Sequence, residues 1–240
     1  MSNLSSCISP LPENATVRLL FLLQNLPGYF GRSFGRKLRR RLTCATDKQF
    51  TQMLRKLGPG DLCIDLGANI GTVSERLAAT GAQVHAVEPD PDTFATLASR
   101  LGHLRNVTLH QLAVGSTSGR LQMFRPQVAS DRAGDLASQG VTGFFRPGMS
   151  DADNSFEVEQ VALDTFIDRL GGKASLVKMD IEGAELDLLE ELAAGHLILH
   201  CDAIFVETHE KQYPATWPRV RALRQAFRRA TSPVVSLYWV

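Results

Sequence analysis

Cysteine is scarce in this chain, and its few thiols are unpaired by pattern: Cys7, Cys44, Cys63 and Cys201 form no C-x-x-C motif. Two of them fall in predicted strands, where a thiol serves as a small apolar side chain, so a reducing, cytoplasmic setting is expected. Long apolar runs are also missing. The best candidate, Leu19 to Leu26, covers eight residues, against roughly 20 for a spanning helix. Its strongest basic cluster follows it rather than precedes it, and no small-residue cleavage site stands where a signal peptide needs one. No internal repeat and no low-complexity tract is present. Acidic residues are nearly absent from one region only: residues 1–60 hold ten basic and two acidic side chains, whereas residues 61–240 hold sixteen and twenty-three. The formal net charge of +1 therefore averages two unlike parts. With 240 residues the chain can build one sizeable domain plus a short appendage.

The texture divides the same way. Residues 1–12 read as a frayed end. From Glu13 the apolar positions Val17, Leu20, Phe21 and Leu23 give a helical stripe that Pro27-Gly28 ends. A basic helix follows through Arg32, Arg36, Lys37, Arg39, Arg40 and Arg41, and Asp47 to Leu57 reads as a further short helix with Asp47 near its N-cap. Residues 1–60 are thus a basic helical lead-in. From residue 61 onward short β-branched runs alternate with helical stretches, the pattern of βα units in a parallel sheet. Strands are expected at 62–66, 83–87, 107–111, 176–180, 203–207 and 234–239, with helices at 71–79, 91–101, 184–194 and 216–230. Segments 119–125 and 156–163 read as extended, and 130–154, rich in Gly, Ser and Asp, reads as a loop or lid.

The most informative stretch is Leu62-Cys-Ile-Asp-Leu-Gly-Ala-Asn-Ile-Gly71, a buried strand entering a glycine turn that opens a helix. It is not the dinucleotide pattern Gly-x-Gly-x-x-Gly, and Asp65 puts a carboxylate where a pyrophosphate would be repelled. An ammonium group suits Asp65 better. The next strand ends in Val87-Glu88-Pro89-Asp90, where an acidic side chain can accept hydrogen bonds from ribose hydroxyls. A nucleoside carrying an ammonium group and no diphosphate is S-adenosylmethionine (SAM). In a parallel sheet the carboxyl ends of the strands converge on one crevice, which should gather Asp65, Glu88, Asp180 and Glu207. Lys178, on the same side of its strand as Asp180, requires a carboxylate partner if buried. Glu185, one turn past Glu182, either belongs to this cluster or favours the positive end of its helix.

Asp65-Leu-Gly-Ala-Asn-Ile-Gly71, Val87-Glu-Pro89, Leu163-Asp-Thr-Phe166 and Val177-Lys-Met-Asp-Ile-Glu-Gly-Ala-Glu185 together resemble the FkbM family of SAM-dependent methyltransferases, over about residues 60–210. The resemblance implies an α/β fold: a Rossmann-like class I methyltransferase sheet with helices on both faces, here preceded by the helical N-terminal extension. Because the chain stops directly after the sixth expected strand, a missing seventh strand is the expectation. It also implies methyl transfer to a hydroxyl of a small molecule or glycan. The cofactor-binding set becomes Asp65, Gly67, Ala68, Asn69, Gly71, Glu88, Pro89, Ala113 and Asp180, with Ala113 near the adenine. A hydroxyl nucleophile must lose its proton, and Asp180, Glu182 and His209 are the candidate bases. Metal independence is expected, since no ligand spacing is diagnostic. Nucleic acid is disfavoured as a substrate because Asp180-Ile-Glu-Gly183 stands where an Asn/Asp-Pro-Pro-Tyr element would be needed. The apolar stripe of the lead-in suggests a homodimer contact or a lid. The alternatives are a SAM-binding module without catalysis and an NAD-dependent oxidoreductase.

Overall fold

The computed structural model describes residues 14–124, 155–195, 197, 200–210, 213–229 and 233–239. The expected frayed start, Cys7 and the 130–154 loop lie outside the described residues. The lead-in forms a helical hairpin, α1 (Ala15–Leu23) and α2 (Gly28–Leu54). Asn14 starts α1 by accepting a hydrogen bond from the Val17 amide at 3.0 Å. The expected break before Asp47 does not occur: α2 is one helix of 27 residues. Asp47 lies exposed within it, while Thr46, a poor helix former, is held by a buried hydrogen bond to Ser236 at 2.9 Å. Tertiary contact overrides the local signal.

The alternation that follows is β1 (Leu62–Leu66), α3 (Thr72–Ala78), β2 (Gln83–Val87), α4 (Pro91–Leu101), β3 (Val107–His110), β4 (Ala113–Gly115), β5 (Gly119–Phe124), β6 (Ser155–Ala162), α5 (Leu163–Arg169), β7 (Ala174–Met179), α6 (Glu185–Ala194), β8 (Cys201–Val206), α7 (Trp217–Ala226) and β9 (Val234–Ser236). Asp90 caps α4 by accepting from the amides of Asp92 and Thr93, with Pro91 at the first helical position. β1, β2, β3, β7, β8 and β9 build a six-stranded parallel sheet in the order β3-β2-β1-β7-β8-β9, the doubly wound arrangement. β9 pairs directly with β8, and no antiparallel strand joins this sheet among the described residues. A second sheet, β4-β6-β5, stands between β3 and α5 in the chain and was only partly anticipated, as two extended segments.

Residue parity along each strand explains the layers. Ile64, Leu66, Val177, Met179, Ile204 and Val206 share one core with side chains of α5, α6 and α7. Cys63, Leu176, Ala203 and Phe205 face the opposite way and pack on α3 and on Phe50 and Met53 of α2. Phe50 meets the rings of Phe205 and Trp239 at centroid separations of 5.3 and 4.4 Å. The boundary at residue 60 therefore marks a change of sequence texture, while the core runs across it: α2 supplies part of one covering layer. Cys63 and Cys201 are buried as strand residues, and Cys44 is exposed on α2.

Candidate active site

A crevice enclosing roughly 540 Å³, part of it open to solvent, lies at the carboxyl ends of β1, β2 and β7, where the winding of the sheet reverses. Of the expected residues, Gly67, Asn69, Glu88, Pro89, Ala113, Asp180 and Glu182 line it. Its apolar wall adds Val87, Leu112, Val114, Met123 and Ile181. Leu112 and Val114 flank Ala113 at β4, Val87 and Ile181 stand next to Glu88 and Glu182 in the motifs quoted above, and Met123 comes from β5, where no motif singles it out in sequence.

The glycine turn is built by packing as much as by ligand access. A Cβ on Gly67 would sit 1.8 Å from the Asp180 carbonyl oxygen, and its φ is +73°. At Gly71, with φ +89°, a Cβ would press on Leu97 and Leu101 of α4. Gly71 and the buried Ala68 serve helix–sheet packing, and neither is among the residues that line the crevice.

Asp65 also lies outside the crevice lining. Its pleat position turns it to the α3 side of the sheet, where it is fully buried. Its Oδ2 accepts a hydrogen bond from Ser74 at 2.6 Å, and its Oδ1 lies 3.2 Å from Lys178 Nζ. Asp65 neutralises Lys178 instead of facing a ligand. Lys178 in turn donates to the Gly67 carbonyl at 2.6 Å and lies 3.4 Å from Asp180 Oδ2, tying the turn to the end of β7. Burial opposes the charge on Lys178, but Asp65 and Asp180 outweigh it and hold the ammonium above its usual range.

Glu88, nearly buried, braces the turn from β2. Its Oε2 accepts from the Asn69 amide at 2.9 Å and its Oε1 from the Asp90 amide at 3.0 Å. Burial pushes its carboxyl up to about 7, with those two amides pulling the other way. Each oxygen retains a lone pair, so the group can still accept two hydroxyl donors on the crevice side.

At the other end His209, which follows β8, closes a set of acids. Its Nε2 lies 3.2 Å from Asp180 Oδ1 and 3.5 Å from Glu182 Oε2, and its Nδ1 lies 3.1 Å from Glu185 Oε1. Glu185, fully buried, also accepts from the Gly183 amide at 2.7 Å. Burial alone would lower the imidazole; the hydrogen bonds to Asp180 and Glu185 outweigh it and push it up to about 11. His209 is therefore a cation at neutral pH. Asp180 is held below its usual range because Lys178 and His209 outweigh its own burial. Glu182 goes the other way: burial pushes it up to about 7, with Asp180, Glu185 and Glu207 adding to the rise against His209. Asp180, Glu182 and His209 bring one donor atom each to within 4.8 Å of one another, a set able to hold a divalent cation only where the ion displaces the proton from the imidazole.

Sequence reading missed one contributor, Arg39 of α2. It is buried, 3.3 Å from Glu210 and 3.9 Å from Glu207, and only its place in a basic run was visible beforehand. A structural signature also marks the site. The three non-glycine residues with positive φ among the described residues are Asn69 (54°), Glu182 (55°) and His209 (43°), and all three belong to this constellation. Such conformations persist where the surroundings over-determine them.

A family model described as the methyltransferase FkbM domain matches residues 65–232. The chain belongs to the FkbM methyltransferase family. The match leaves α1 and α2 outside it. The chain is 30% identical over 167 residues to the 31-O-demethyl-FK506 methyltransferase FkbM of Streptomyces tacrolimicus, covering 60% of this chain and 64% of that protein. It is 24% identical over 161 residues to the hexuronic acid methyltransferase AglP of Haloferax volcanii, covering 65% and 59%. The chain thus spans about three-fifths of the length of each relative. Among solved structures, Trm5b from Pyrococcus abyssi overlaps 78% of this chain and 41% of its own, at 14% identity and a TM-score of 0.32, too loosely to bear on fold or function.

Proposed function

We propose that this FkbM-family chain is a SAM-dependent methyltransferase that methylates a hydroxyl of a small molecule or glycan. The observation that carries this reading is a single crevice with a hydroxyl acceptor, Glu88, at one end and a proton-poised carboxylate, Glu182, at the other. The names of the two relatives, one a 31-O-demethyl-FK506 methyltransferase and one a hexuronic acid methyltransferase, support an oxygen acceptor.

When bound, the cofactor supplies an electrophilic methyl group on sulfonium. The residues present fit it. Glu88 offers lone pairs to the ribose hydroxyls, Leu112, Ala113, Val114 and Met123 form an apolar wall for the adenine, and Asp180, ionised and exposed toward the crevice, takes over the ammonium-binding role expected of Asp65. The chemical step is an in-line displacement, so the protein contributes alignment and a base. Of the three candidate bases, His209 is already protonated and Asp180 is the weakest proton acceptor. Glu182, with a pKa near neutrality and its side chain on the crevice, is matched to accept the hydroxyl proton. His209 then acts as a positioning cation that holds Asp180 and Glu182 in place. Lys178 and His209 supply this centre with positive charge, and metal-independent turnover is the reading we adopt.

Calorimetry with S-adenosylhomocysteine, followed by transfer of labelled methyl from SAM to sugar and polyol hydroxyls, tests the reading. Micromolar binding that Glu88→Ala abolishes, with label recovered on oxygen, is expected. Absence of binding by the folded wild-type chain would overturn it; binding without transfer to any acceptor would favour a SAM-binding module.

A further inference from the structure

The five large hydrophobic side chains that stand exposed among the described residues are Leu19, Leu22, Leu26, Tyr29 and Phe30, between 46% and 69% accessible. All lie on α1, the connecting turn and the first turn of α2, and Leu19 and Leu22 share one face of α1 by their spacing. Singly exposed leucines are ordinary, but five gathered at one tip form an apolar ridge. The ridge is bordered by positive charge on both sides. Along α2, Arg32, Arg36, Lys37, Arg40 and Arg41 are exposed, and the Arg36 guanidinium sits 5.7 Å from the ring centre of Tyr29. Toward α7, a groove that Leu22 helps to line has Arg18, Arg221 and Arg228 as its charged side chains. No acidic residue occurs between Glu13 and Asp47.

We propose that the α1–α2 tip docks on an anionic phospholipid surface, with the ridge entering the headgroup–acyl boundary and the flanking arginines and lysine in the phosphate layer. Charge complementarity selects this occupant. A second copy packed ridge to ridge would bring two sets of arginines together with no carboxylate between Glu13 and Asp47 to compensate. A nucleic-acid backbone would satisfy the arginines and leave the leucines and Phe30 in water. No helix among the described residues is long and apolar enough to cross a membrane, which is consistent with a surface mode of attachment.

The full chain is tested by co-sedimentation with vesicles of phosphatidylcholine alone and with about one-third phosphatidylglycerol, at low salt and at about 0.5 M NaCl. At least roughly tenfold tighter partition onto the anionic vesicles is expected, weakened by salt. Leu22→Glu/Phe30→Glu and, separately, Arg32→Glu/Arg36→Glu should each reduce partition by roughly tenfold or more while leaving S-adenosylhomocysteine binding and the circular dichroism spectrum unchanged. No partition onto either vesicle overturns the proposal. So does a homodimer by light scattering that Leu22→Glu/Phe30→Glu dissociates, or complete competition by free glycerol phosphate, which would make the arginine groove a soluble-anion site. None of these outcomes bears on catalysis in the crevice, so the proposal and the methyltransferase reading fail separately.

Discussion

Two buried ion networks stand beside each other at the carboxyl ends of β7 and β8, and they differ in their balance of charge. The sealed one joins Glu210 to Arg224 at 2.8 Å and to Arg39 at 3.3 Å, with Thr208 donating to its other oxygen at 2.6 Å. Two guanidiniums meet one carboxylate, and despite burial Glu210 is held below its usual range. The open one sets Lys178 and His209 against Asp65, Asp180, Glu182 and Glu185, with Glu207 nearby. Here negative charge is in surplus, and at Glu182 and Glu207 it adds to burial, which is the main reason both carboxyls are raised. A network with cations in excess locks its carboxylate in the ionised form and serves structure. One with acids in excess leaves a carboxyl able to exchange a proton near neutral pH, and this one borders the crevice.

The contrast breaks most visibly in the sealed network. Glu210→Gln strands two buried guanidiniums, and a loss of about 3–5 kcal/mol in denaturant unfolding is expected; a loss under about 1 kcal/mol would show that Glu210 neutralises nothing of consequence. In the open network Glu182→Gln should unfold at nearly the wild-type denaturant concentration yet lower kcat by roughly 10²–10⁴-fold. Equal turnover by that variant would move the base elsewhere. With saturating cofactor, kcat should rise with pH through about 7, because Glu182 accepts a proton only once ionised.

Smaller effects sharpen the picture at the opposite end of the crevice. Glu88 is raised to about 7 in the unliganded chain, and its neutral form accepts hydroxyl donors poorly. S-adenosylhomocysteine affinity is therefore expected to fall up to about tenfold per pH unit below neutrality and to level off above it. Titration calorimetry across that range, with Glu88→Gln giving weak and flat binding, checks the assignment. Smallest of all, EDTA treatment should leave turnover unchanged; activity lost to EDTA and restored by Mg²⁺ would assign Asp180, Glu182 and His209 to a cation.

Much of this was legible in the chain before folding. The glycine turn after β1, the acid after the end of β2 and the Lys-Met-Asp-Ile-Glu-Gly run across the end of β7 are local patterns, because strand ends and turns are specified by neighbours in sequence. Lys178 was expected to require a buried carboxylate, and it has two within 3.4 Å. Other features were illegible for a physical reason: they depend on which element covers which face. Pleat parity puts Asp65 on the side of Cys63, but only the presence of α3 there turns that into burial against Ser74. Likewise Arg39 is one of six basic residues in a short run, and nothing in that run distinguishes the one that turns inward to Glu210.

By itself the sequence determined the βα alternation and the crevice-forming turn, since each is encoded by residues close together along the chain. Only the tertiary structure decided the protonation and the roles of the clustered acids. Charges brought together from β1, β7, β8 and α6 make His209 a cation and Asp180 an anion, while burial, with the neighbouring acids adding to it, raises Glu182 to the pKa of a base. Such balances follow from distance and burial, which no spacing along the chain records.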